Sequence, residues 1–307
     1  MIFFLTSFLV SVTAASTPLL LAATGELVAE RSGVLNLGVE GMMLVGAVAG
    51  FVVGRLTGSA ALGVAAATVG GAALSAIFAF LTLTLLSNQT AAGLALTIFG
   101  RGFSSLLGAG FVGVKGPELA KLAAPGLSQV PFFGPVLFGQ DPLVYASFAI
   151  LAAVAWILFR THAGLVLRAV GDSHDAAHAI GYPVNAIRLG ATLFGGAMAG
   201  LGGGYMSLAY SPMWAENMTA GRGWIALALV VFATWRPAWL LAGAYLFGAI
   251  MYLSLYVQGL GVAIPSPFIS ALPYIVTVAV LAFISRDRRR IRLNQPACLG
   301  KPFYAGA

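Results

Sequence analysis

Charge is what this sequence has least of. Only 8% of its 307 residues are Asp, Glu, Lys or Arg, against roughly a quarter in an ordinary soluble domain. Sixteen basic and nine acidic side chains cannot clothe a water-covered globule of this length. There is one cysteine, Cys298, so an intramolecular disulfide and a cysteine metal cluster are both excluded. The three histidines, His162, His174 and His178, all fall between residues 160 and 188. Ser104, Ser105 and Ser207, inside apolar runs, therefore have no histidine partner for a nucleophilic triad. His174 and His178 are four apart, but beyond an acidic neighbour such as Asp175 no third ligand is at hand, so no metal site is assigned. The chain carries no G-x-x-x-x-G-K-[ST] phosphate loop. It reads as a non-enzyme, and any ATP used in its service is hydrolysed on another chain.

What is present is apolar length. Hydrophobic residues make up 60% of the chain and the mean hydropathy is +0.95, the values of an all-α polytopic membrane protein. About nine spans (8–10) are expected: 2–23, 33–53, 59–85, 89–108, 142–159, 187–209, a short 223–236, 238–258 and 267–285. The first lacks a positive leader region and reads as a span rather than a cleaved signal. A membrane domain thus covers 1–285, and a short basic tail covers 286–307. The 39 glycines include two four-residue ladders, Gly46, Gly50, Gly54 and Gly196, Gly200, Gly204, which place small residues on one helix face as a packing seam.

Two connections are long. The stretch 111–142 contains Pro117, Pro125, Pro131 and Pro135 and is too interrupted for a straight helix. The stretch 160–188 holds Arg168, Asp172, His174, Asp175, His178 and Arg188, and its composition permits a short surface helix. Orientation follows the basic residues: with the N-terminus outside and the C-terminus cytoplasmic, eleven of the sixteen Lys/Arg fall on the inner side, including those of "SRDRRRIR" at 285–292. That cluster, directly after a span, reads as a topology anchor touching anionic lipid and not as a nucleic-acid arm.

The functional candidates are the polar residues inside apolar runs. Glu40 lies about seven residues into the second expected span, with Asn36 one turn before it. A carboxylate there must line a polar cavity or bond to another span. Proton transfer is disfavoured, because no second membrane-embedded carboxylate offers a relay. Asn88 and Gln89 open the fourth span as caps or cavity amides, and Arg101 follows between Gly100 and Gly102. Arg101 has three options: pairing with Glu40, binding a solute group, or snorkelling outward. In the loop 210–224, Trp214, Glu216 and Asn217 shape an external mouth, or Trp214 and Trp224 are interfacial belt residues.

The stretches "ERSGVLNLGVEGMMLVGA" (30–47) and "LRAVGDSHDAAHAIGYPVNAIRLGATLFGGAMAGLGGGYMSL" (167–208) resemble the permease subunits of bacterial ABC importers for branched-chain amino acids and simple sugars. The likeness is most marked to the branch that imports nucleosides. It implies a multi-pass permease of the bacterial inner membrane, paired with a second homologous permease subunit. It also implies cytoplasmic ABC ATPase subunits carrying ATP and Mg, and an extracellular or periplasmic solute-binding lipoprotein. The expected solute is small and polar, a nucleoside first, with a sugar or a branched-chain amino acid as alternatives and an ion-coupled secondary transporter as a further one. By the same resemblance, the loop 160–188 couples to the ATPase through Arg168, Gly171, Asp172, His174, Ala177, Gly181 and Tyr182. The candidate solute pathway comprises Asn36, Glu40, Asn88, Gln89, Phe99, Arg101, Phe103 and Tyr205, whose aromatic rings and amides suit a nucleobase or a sugar.

Overall fold

The computed structural model describes residues 2–122, 132–259, 265–284 and 294–304. Pro125, Pro131 and the 285–292 cluster lie outside them. The described chain is all-α apart from two isolated bridges. Its helices are α1 (Ile2–Arg31), α2 (Val39–Thr57), α3 (Ala60–Ala79), α4 (Gln89–Gly108), α5 (Pro142–Arg160), α6 (His162–Asp172), α7 (His174–Ala179), α8 (Val184–Tyr205), α9 (Arg222–Phe232), α10 (Pro237–Gly259) and α11 (Ser266–Ile284). Seven segments are long and apolar enough to cross a membrane: Leu5–Arg31, Val39–Thr57, Ala60–Thr84, Gln89–Phe111, Pro142–Arg160, Val184–Tyr210 and Pro237–Gly259. The protein is a polytopic helical membrane protein.

Local chemistry sets the helix starts. Ser59, Asn88, Asp141, Thr161 and Ser173 each accept a backbone N–H from the first turn of α3, α4, α5, α6 and α7. The loop 160–188 thus holds two capped helices, α6 and α7, rather than one. Three helices then lock at the glycine ladders. A Cβ on Gly46 would collide with the backbone of Gly200, and one on Gly71 with the backbones of Gly196 and Gly200. Gly203 lies against Met43 in the same way. Backbone-to-backbone approach of this kind maximises dispersion contact where lipid supplies no hydrophobic drive between helices.

The sequence reading differs from the structure in two places that matter for the site. The first span does not stop at residue 23. It continues to Arg31, because Glu26 and Glu30 find partners inside the bundle: Glu26 accepts the Asn36 N–H (3.2 Å) and Glu30 accepts the Trp235 indole N–H (2.6 Å). Both carboxyl groups are buried, so Glu40 is not the lone acidic side chain within the apolar helices. The second difference is a break. Residues 32–38 are non-helical, and Asn36 lies in that break instead of on the α2 face it was expected to share with Glu40.

The break climbs into the bundle before α2 begins. Leu35 N–H donates to the Gln89 side chain at the foot of α4 (2.8 Å), whereas Leu37 C=O accepts from Thr97 (2.9 Å). Eight residues of helix separate those two partners, about 12 Å of rise. Irregular backbone at such depth is tolerated only where protein or a cavity surrounds it. Here Gly93 and Gly41 give the room: a Cβ on Gly93 would meet the backbone of Leu37 and Gly38, and one on Gly41 that of Leu96 and Thr97.

Candidate functional site

A second interrupted element meets the first. After Val184–Tyr210 the chain turns back, passes Ser211 to Gly221 without helix, and starts α9. With 11 residues α9 is about 16 Å long, half of a hydrocarbon core roughly 30 Å thick. Its far end is tied to the end of α1, where Arg31 donates to Trp235 C=O (2.7 Å). The N-terminus of α9 therefore sits inside the bundle, with its backbone N–H groups unpaired by helix geometry.

Glu40, in the first turn of α2, supplies the missing acceptors. Its Oε1 accepts from the Thr219 hydroxyl (2.6 Å) and Gly221 N–H (2.8 Å), and its Oε2 accepts from Gly223 N–H (2.6 Å). The side chain is buried. An acidic group at a helix N-terminus also meets the positive end of the macrodipole. The turn that presents these donors is unusual, since Asn217, Ala220 and Gly221 all have positive φ. Gly223 must be glycine for a different reason: a Cβ there would strike the Glu40 backbone and carboxylate. Of the two uses left open for Glu40, bonding between elements is the one its oxygens are engaged in.

Beside this junction lies a cavity of about 330 Å³. Glu40, Thr97 and Arg101 line it from α2 and α4, Asn217 and Trp224 from the α9 entry, and Tyr274 from α11. Tyr274 donates to Ala220 C=O (2.9 Å) and so braces the same turn. Arg101 is exposed, twelve residues into α4, and no ion pair joins it to Glu40 among the described residues. An arginine at that depth cannot face lipid without a cost of several kcal/mol. Three larger grooves, about 850, 610 and 420 Å³, are lined mainly by apolar side chains and hold neither Glu40 nor Arg101.

The other expected pathway residues scatter. Asn36 makes a local turn, accepting Gly38 N–H (2.9 Å). Asn88 caps α4 and Gln89 braces the break from the helix foot. Phe99 and Phe103 stack on each other on an exposed face of α4, centroids 5.4 Å apart. Tyr205 is remote from them: buried on α8, it donates to Asp141 (3.2 Å), which caps α5. Burial pushes the Asp141 carboxyl above the usual aspartate range. Trp214 is 1% exposed, clustered with Val48 and Phe51, whereas Glu216 and Asn217 are exposed. Thr219, Gly221 and Gly223 were missed, although "TAGRGW" before a short apolar run was the available signal.

On α6 and α7, Asp172 and Gly181 are exposed and Arg168 and Tyr182 half-buried, but Gly171, His174 and Ala177 point inward. The exposed face of α7 and its exit is instead Asp175, Ala176, His178, Ala179 and Ile180, the last 72% exposed. Among the described residues no group of three His, Cys, Asp or Glu side chains could hold a metal. His174 packs edge-on against Phe303, and burial, with the Arg188 guanidinium nearby, pushes its imidazole down to about 4. An unfolded histidine titrates near 6.5, so the unfolded chain alone gains a proton as pH falls from about 6.5 to 4. Stability from the neutral ring is full above that window and is lost through it. The melting temperature of the purified protein is expected to drop between pH 7 and 5, and His174→Gln to flatten that slope.

Discontinuous helices meeting inside a bundle around a polar cavity are a build that membrane transport proteins use. The sequence places this chain more closely. The profile of the family described as branched-chain amino acid transport system, permease component, matches residues 8–284, and the chain belongs to that family. It is a permease component of an ABC transporter. It is 40% identical to the putative glucose ABC transporter permease protein TsgC13 of Haloferax volcanii, over 93% of each chain. It is 32% identical to the guanosine ABC transporter permease protein NupQ of Bacillus subtilis, over 95% of this chain and 94% of the relative. To the nucleoside ABC transporter permease protein NupC of Lactococcus lactis it is 31% identical, over 87% and 88%. No solved structure matches. The expected leaning to the nucleoside branch is overturned: the glucose permease stands at 40% where the two nucleoside permeases stand at 32% and 31%.

Proposed function

We propose that this chain, with a second homologous permease chain, forms the pathway of an ATP-driven importer for a sugar. The observation that carries the reading is the cavity at the Glu40 junction, where a hydroxyl, an amide and a guanidinium stand beside the rings of Trp224 and Tyr274. Polar groups of that kind hydrogen-bond ring hydroxyls, and aromatic faces cover the apolar side of a pyranose. The 40% identity to a permease named for glucose supports the same solute class. Exposed Arg101, Phe99 and Phe103 support α4 as the wall shared with the second permease, since that face then meets protein and water.

The loop 160–188 receives the ATPase, whose site holds ATP and Mg, on the exposed surface of α7. The N-terminus lies outside and the C-terminus in the cytoplasm, within the cell membrane, with α9 as a half span and α11 as a further full one. Residues 1–285 form the permease domain and 286–307 the tail. An external solute-binding lipoprotein delivers the sugar to the mouth near Glu216 and Asn217. The complex purified through this chain and reconstituted in liposomes is expected to take up labelled glucose only with internal ATP. Arg101→Gln should raise the KM for uptake at least tenfold. Uptake that ignores ATP and collapses with an ion gradient would point to a secondary transporter instead, and an unchanged KM would take Arg101 off the pathway.

A further inference from the structure

The described tail, residues 294–304, is stitched across the same end of the bundle as the α1–α2 break and α6–α7. Cys298 N–H donates to Gly171 C=O (2.9 Å) at the end of α6, and Gly300 N–H donates to Gly33 C=O (3.1 Å) in the break. The Lys301 carbonyl then accepts from two helices at once: the Arg188 guanidinium at the start of α8 (3.0 Å) and the Gln89 amide at the foot of α4 (3.4 Å). Asn294 C=O accepts from Arg31 (3.0 Å). Phe303, 4% exposed, fills a small apolar cluster with Val170, Ala177 and Val184, and both His174 and His178 rings stand edge-on to it.

This wiring matters because of what it joins. Helix α7 packs on α6 and α8, while α4 packs mainly on α2 and α3. The tail touches both groups, through Phe303 on one side and Lys301 on the other. A body that pushes α7 would displace Phe303, and the run from 298 to 303, bonded at Cys298, Gly300 and Lys301, would carry that displacement to the foot of α4. Thr97 and Arg101 of the cavity ride on α4 two and three turns above Gln89. Coupling needs an element that both sites bias.

We infer that the C-terminal segment 298–303 is the mechanical link that relays ATPase motion at α7 to the cavity helix α4. The inference rests on the proposed function, and its test separates the two. In the reconstituted complex, Phe303→Ala and, independently, Gly300→Val are compared with wild type for ATPase co-purification, basal hydrolysis, solute-stimulated hydrolysis and uptake. Gly300 has φ +77°, which valine cannot adopt without strain, so the second variant disturbs the link without emptying the Phe303 socket. Both variants should keep the ATPase subunits and basal hydrolysis within twofold, yet lose stimulation and uptake at least tenfold. Phe303→Leu, which refills the socket, should restore at least half of both. Stimulation and uptake within twofold of wild type in both variants would overturn the inference. So would loss of the ATPase subunits, since the tail would then build the docking surface and not relay its motion. Failure of the wild-type chain to bring down any ATPase would instead defeat the importer reading itself.

Discussion

Glu40→Gln is expected to lower solute uptake at least tenfold while leaving the amount of assembled complex in the membrane within twofold of wild type. Three donors converge on the two carboxylate oxygens, two on one and one on the other. Glutamine offers a single acceptor oxygen, so either amide orientation turns an NH₂ toward a donor. Hydrogen bonds to a charged group contribute roughly 1.5–3 kcal/mol each, and losing one already exceeds the 1.4 kcal/mol that corresponds to tenfold. The damage falls on the turn 217–221, which lines the cavity, and not on the glycine seam that holds the bundle together. Glu40→Asp should not rescue, because the shortened side chain cannot reach both sides of the α9 entry. Uptake by Glu40→Gln equal to wild type would show that the α9 entry stands without this carboxylate; loss of the complex from the membrane would make it a folding residue only.

The second large effect is expected at Ile180. An isoleucine 72% exposed at the exit of α7, beside Ala176 and Ala179, is an apolar knob with nothing on it in the isolated chain. Fully burying such a side chain contributes about 1.5–3 kcal/mol, and a carboxylate in the same socket adds a desolvation penalty. Ile180→Glu is expected to reduce ATPase co-purification at least thirtyfold and to abolish uptake, with the permease itself still inserted and monodisperse. Asp172 and Gly181 are also exposed and belong to the same surface, whereas His174 and Ala177 face inward and should act through Phe303. Undiminished co-purification of the ATPase with Ile180→Glu would move the docking surface away from α7.

How much of this was legible in the sequence depends on which forces set each element. Apolar length fixes spans, and the all-helical membrane architecture could be read from hydropathy alone. The glycine ladders were legible because a four-residue repeat in lipid has a direct packing meaning, and 46, 200 and 71 do meet. Glu40 was legible as an expensive residue, but its partners lie 179 to 183 positions away, and no local pattern encodes them. The α1–α2 break was hidden because "SGVLNLG" is apolar enough to read as helix. What keeps it non-helical is tertiary: Gln89, Thr97 and Glu26 take up its backbone groups. Tyr205 was expected on the solute pathway; its hydroxyl is taken up by Asp141, 64 positions away, a pairing no local pattern encodes. The tail gave no periodic signal at all, since it binds through backbone N–H and C=O groups and a single ring.

The crossing of α2, α3 and α8 has a consequence for how such a permease alternates between its two open states. Where backbones touch without side chains between them, there is no rotamer to flip and no gap to close; sliding one helix past another would drive peptide groups into contact. These three helices are therefore expected to move as one body. Helix α4 and the α9 entry also lie backbone to backbone on α2, through Gly41, Gly100 and Gly223, and move with that body; what hangs on a side-chain contact is α11, braced by Tyr274. An opening motion is therefore expected to carry α2, α3, α8, α4 and the α9 entry together, leaving α11 as the wall of the cavity that can part from them.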